Sequence, residues 1–126
     1  MDWKTTAISS IPEDRGFITE CKNPFEFWLD MYQEFIILSK KSELDKAKRI
    51  VKLALSSISN EDKISMEMGQ ATLISFFHDI ASNKDIWKYI PVYFSKNDLE
   101  ILSQEFIYVL GHEGYIELID EFNKNT

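Results

Sequence analysis

The sequence carries one cysteine, four glycines, three prolines and two histidines in 126 residues. A single thiol, Cys21, excludes an internal disulfide framework and fits a reducing compartment. So few glycines and prolines leave few chain breaks, which favours long helices over a many-turned β architecture. No apolar run approaches the roughly 20 residues that a membrane span requires. The amino terminus shows no basic region followed by a long apolar stretch, so no signal peptide is visible. The expectation is a cytoplasmic protein with no membrane partner. Basic residues are scarce too: 14 Lys and Arg stand against 21 Asp and Glu, a formal charge of −7. Phosphate contacts need a basic footprint, so nucleic acid is not the expected partner. An acidic surface that attracts a basic protein is compatible with this balance.

What is present is apolar and aromatic. A hydrophobic content of 44% with 13% aromatics excludes a disordered chain, and the length suits one domain with a real core. The chain is organised around Asn23–Leu38. Asn23 can cap a helix, Pro24 suits its first turn, and Glu26 completes a capping-box-like arrangement. At about 100° per residue, Phe25, Phe27, Trp28, Leu29, Met31, Tyr32, Phe35, Ile36 and Leu38 cover about 200° of arc. That width predicts a central helix with neighbours on more than one side.

Around it the pattern predicts an all-α fold, an irregular bundle of about five helices built from antiparallel pairs. Residues 1–22, with Pro12 and Gly16 and no helical period, read as an extended arm packed on the body, with a short strand near 16–21 as an option. Residues 23–126 read as a single helical domain. Ser42–Asp45 reads as a capping box opening a second helix, whose Leu44, Ala47, Ile50, Val51, Ala54, Leu55 and Ile58 recur at i, i+3, i+4. The short connection predicts an antiparallel hairpin. A third helix is expected over about 61–80, with Met66, Gly69, Leu73, Phe76, Phe77 and Ile80 inward and Ile64, Met68 and Ala71 on its other side. In the connector 82–94, Trp87, Tyr89, Ile90, Tyr93 and Phe94 are expected to plug the core. Ser95–Asp98 is a further capping box, Gly111 a natural stop, and a last helix from about His112 buries Tyr115, Leu118, Ile119 and Phe122.

The search for chemistry returns little. Neither His78 nor His112 belongs to a metal motif, and no phosphate loop, nucleophile elbow or paired-cysteine pattern occurs. His78 reads as a cation near a helix end. No catalytic residue, cofactor or metal is expected, and an enzyme is not. Charge placement says more. Glu113, Glu117 and Asp120 share a helix face at i, i+4 and i+7 beside Ile116, with Glu121 next to them. Glu26, Asp30, Gln33 and Glu34 surround Ile37 on the central helix. Like charges at this spacing oppose helix stability by roughly 0.2–0.5 kcal/mol per pair. Two acidic faces with apolar anchors have the composition of an interface with a steering rim, although plain solubility is the commoner reason for acidic helices. The second helix carries Lys46, Lys48, Arg49 and Lys52, a strip that leaves homodimerisation open.

Phe27-Trp28, Ser42-Glu43-Leu44-Asp45, Ser75-Phe76-Phe77-His78 and Ile86-Trp87-Lys88-Tyr89-Ile90-Pro91 together resemble the packing signatures of a group of small bacterial helical proteins. In overall type the chain resembles the immunity proteins of contact-dependent growth inhibition and related toxin systems. That resemblance implies a non-catalytic protein that neutralises a cognate toxin, typically a basic nuclease domain. Glu26, Asp30, Glu34, Ile37, Glu113, Ile116, Glu117, Asp120 and Glu121 would then form the contact, with Tyr108 as a further apolar candidate. The alternative is a helical adaptor or regulatory protein using the Ile64, Met68, Ala71 strip for a partner helix or a second copy.

Overall fold

A computed structural model describes residues 2–59 and 66–126. Every regular element among them is helical and no strand occurs, as the all-α expectation requires. No helix among the described residues is long and apolar enough to cross a membrane. The chain divides into two compact units, Met1–Phe76 and Phe77–Thr126.

The first unit begins with helix α1 (Trp3–Ser10), a 3-10 turn (Pro12–Asp14) and helix α2 (Arg15–Glu20). This corrects the expectation of an extended arm, and the optional strand near 16–21 is not formed. The helical stripe is narrow: Ala7 and Ile11 are fully buried at i, i+4, and Trp3, one step earlier, lies 5.6 Å from the Phe27 ring. Serines and threonines with weak helix propensity surround that stripe and mask it. Packing of α1 on α4 overrides them.

Helix α3 (Pro24–Lys40) starts as its sequence predicts, with Pro24 in the first turn and Asn23 Oδ1 accepting the Glu26 N–H at 3.0 Å. Phe27, Trp28, Met31, Tyr32, Phe35 and Leu38 are buried, between α4 on one side and α5 on another. The Phe76 ring closes this cluster, 5.0 Å from Trp28, 5.4 Å from Phe35 and 6.5 Å from Tyr32. Leu29 departs from the expected core: it is 56% exposed.

Helix α4 (Leu44–Ile58) packs beside α3 across a three-residue turn. The expected capping box is not formed. Ser42 takes φ 60° to reverse the chain, which leaves Glu43 at the cap position with no side-chain bond. Helix α5 (Met66–Thr72) leads into a π-helical turn, Leu73–Phe77. The expected start of this helix at Glu61, and Ile64, lie outside the described residues. Met66 is exposed rather than in the core, whereas Met68 and Ala71 are fully buried. Because α5 packs against both α3 and α4, Met68 and Ala71, the described part of the strip expected to receive a partner, are enclosed.

In the second unit, helix α6 (His78–Ser82) is followed by a 3-10 segment (Lys84–Tyr89), helix α7 (Ile90–Tyr93) and helix α8 (Lys96–Lys124). Ile86, Trp87, Ile90 and Phe94 are buried, and Phe94 lies 6.1 Å from Phe77. The connector thus plugs this core with two short helical segments. At the start of α8 both bonds of the Ser95–Asp98 capping box are made, at 3.1 and 2.9 Å. Leu99, Leu102 and Phe106 face inward. Gly111, at φ 75° and ψ 171°, interrupts the helical backbone where the sequence predicted a stop. Among the described residues the expected count of about five helices is therefore exceeded, by short segments that accompany the long α3, α4 and α8.

Candidate partner-binding site

Two glycines stand at the start of the acidic face on the last part of α8. Gly111 adopts a left-handed φ that side-chain-bearing residues rarely take. Gly114 packs so closely that a Cβ there would lie 2.7 Å from Leu110 Cβ. Beyond the kink, Leu118 and Phe122 are buried and Tyr115 and Ile119 half-buried, which turns Glu113, Ile116, Glu117 and Asp120 outward. Ile116 is 59% exposed. Among the described residues, Glu117 alone of these carboxylates forms an ion pair, 3.0 Å from Lys84 Nζ. The unit Phe77–Thr126 holds nine acidic and four basic residues, so most of the chain's net negative charge lies there.

Beside this face is a cavity of about 420 Å³ lined by Lys84, Trp87, Glu117, Asp120, Glu121 and Lys124. The Trp87 indole is held in place by its Nε1–H, which donates to the Ala81 carbonyl at 3.0 Å. Lys84 Nζ sits 5.6 Å from the Trp87 ring centroid, a cation–π distance. Lys84 and Trp87 were not among the expected site residues. Trp87 was read only as a core residue, which its burial supports, and a lysine 33 residues from Glu117 leaves no local pattern to find.

The α3 strip belongs to the first unit. Glu26, Asp30 and Gln33 are exposed, and Ile37 is 52% exposed as expected. Leu29 joins them as a second outward apolar residue, eight positions or about 12 Å along the helix from Ile37. Glu34 differs from its neighbours because it pairs with Lys46, whose ammonium also lies 2.9 Å from Asp14. These two carboxylates hold the Lys46 pKa above its ordinary value although burial opposes them. Arg49 is likewise engaged, by Glu13 at 2.6 Å and Asp45 at 3.1 Å. Of the basic strip on α4, Lys48 and Lys52 remain outward.

The histidines separate. His112 is exposed just after the kink. His78 opens α6 rather than ending a helix, and its Nε2 lies 2.8 Å from Glu105 Oε2, with the Tyr108 ring 5.9 Å away. This histidine–carboxylate pair, 27 residues apart in sequence, was not foreseen. Cys21 is buried, and burial, with Glu26 and Asp30 nearby, pushes its thiol pKa up, partly offset by Lys4; that disfavours the reactive thiolate. No protein-family model, curated protein or solved structure matches the chain.

Proposed function

We propose that the protein works by binding: an immunity-type inhibitor that occupies a cognate basic toxin domain, a nuclease by class, through its acidic helix faces. A cytoplasmic site of action, no cofactor and no catalytic step belong to the same proposal. The observation that carries it is Ile116, 59% exposed among Glu113, Glu117 and Asp120. An exposed β-branched residue ringed by mostly unpaired carboxylates supplies what a protein contact needs, an apolar centre and a charged rim. A nuclease must present Lys and Arg to nucleic-acid phosphates, and a carboxylate rim would engage those same side chains. Leu29 and Ile37, with Glu26 and Asp30, offer a second face of the same kind. Electrostatic steering would make association fast and salt-sensitive. The test is to convert Glu113, Glu117 and Asp120 to Lys and measure toxin-domain association. An on-rate at least about tenfold lower, with a flatter salt dependence, is expected. Unchanged kinetics would remove this face from the interface.

A helical adaptor is the second reading. In its favour, Ile101 and Tyr108 are both exposed at i, i+7 on the first part of α8, a spacing suited to a partner helix. Binding through that stripe would be largely insensitive to salt.

A further inference from the structure

The cavity at Trp87 has a feature that an acidic surface alone does not. Its cation, Lys84, is supplied by the chain itself, over the indole at 5.6 Å and against Glu117 at 3.0 Å. Both Lys84 and Glu117 are well exposed, so this pair is a weak surface contact that a better-fitting cation can displace. Asp120 and Glu121 line the same cavity and form no ion pair among the described residues. The indole itself does not move with the lysine, since its N–H is anchored to Ala81.

The geometry points to this cavity as a receptor for an arginine side chain of the protein partner, with Lys84 as the internal occupant that gives way. This rests on the binding function proposed above and names the group that the α8 face would recognise. A guanidinium fits better than the ammonium it replaces. It is planar and weakly hydrated, so it can stack on the indole while its fork reaches two carboxylates. The ammonium of Lys84 is a compact, strongly hydrated point charge held by one carboxylate. Glu117, released from Lys84, and Asp120 are the carboxylates placed to receive the fork, and Lys84 would turn to solvent.

The probe is N-acetyl-argininamide, with the citrulline analogue as its uncharged isostere, titrated into the full chain while the three indole N–H resonances are followed by NMR. Saturable movement of the Trp87 resonance with the arginine derivative, and none with citrulline, is expected. Lys84→Ala removes the competing cation and should tighten binding about threefold, the scale of one exposed cation–π contact. Glu117→Gln with Asp120→Asn should abolish the response. Equal movement with citrulline, parallel movement of Trp3 and Trp28, or an undiminished response in the double variant would overturn the proposal. Because no toxin is used, a failed arginine site is distinguishable from a failed toxin interaction: the charge-reversed face can lose its toxin whether or not Trp87 answers to arginine.

Discussion

Replacing Glu13 by Gln tests how the first twenty residues are held on α4. The Glu13 carboxylate accepts from Arg49 Nη1 at 2.7 Å and Nη2 at 2.6 Å, and Nη1 also donates to the Ser10 carbonyl at 3.1 Å. Hydrogen bonding from Arg49, against an opposing effect of burial, lowers the Glu13 pKa from 4.5 to about 2. Such a fall is nominally about 3.4 kcal/mol, but the Glu13 side chain is 42% exposed, so solvent screening reduces the expected contribution to about 1 kcal/mol. The folded-state pKa lies below the unfolded one. The stabilisation is therefore complete above pH 4.5 and is lost as pH falls towards 2. Urea unfolding of wild type and Glu13→Gln at constant ionic strength should show a gap of about 1 kcal/mol at pH 7 that closes between pH 5 and 2. A gap that stayed constant across that range, or was the same in an Arg49→Met background, would refute the ion pair as its cause.

Three other outcomes follow from packing and backbone geometry. Phe76→Ala, which empties the centre of the aromatic cluster, should cost about 3–5 kcal/mol in chemical unfolding; a loss below about 1.5 would mean that the cluster collapses around the gap. The glycines should respond with opposite signs, as differential scanning calorimetry can show. Gly16→Ala, in a helix with open space at its Cβ, should stabilise by about 0.5 kcal/mol, and Gly111→Ala, at φ 75°, should destabilise by about 1 kcal/mol. Leu29→Gln should change stability by less than about 0.5 kcal/mol, whereas Phe27→Ala, on the buried side of the same helix, should cost about 3 kcal/mol or more.

Short-range features were the legible ones. Asn23 and Ser95 cap their helices as their neighbours three residues on would suggest, Gly111 breaks the last one, and the inward residues of α4 and of the end of α8 follow helical spacing. Ser42 was misread because the same four residues can make a capping box or a reversal. The tight connection to α3 required the reversal. Leu29 was misread because the sequence gives the angular width of an apolar arc but not how much of it neighbours cover. The acidic residues of the candidate site were visible as a helix-face pattern, while the lysine and tryptophan that turn part of it into a cavity were not.

The sequence by itself therefore determined the helical class, several helix ends and the outward acidic stripes, since each depends on residues within one or two turns of one another. Only the tertiary structure decided which charges are already engaged: Lys46 with Asp14 and Glu34, Arg49 with Glu13, His78 with Glu105, and Lys84 with Glu117. The same holds for Met68 and Ala71, enclosed by packing on two sides. Their partners stand a dozen to several dozen residues away, where helical periodicity carries no information and the packing of whole helices sets the distance.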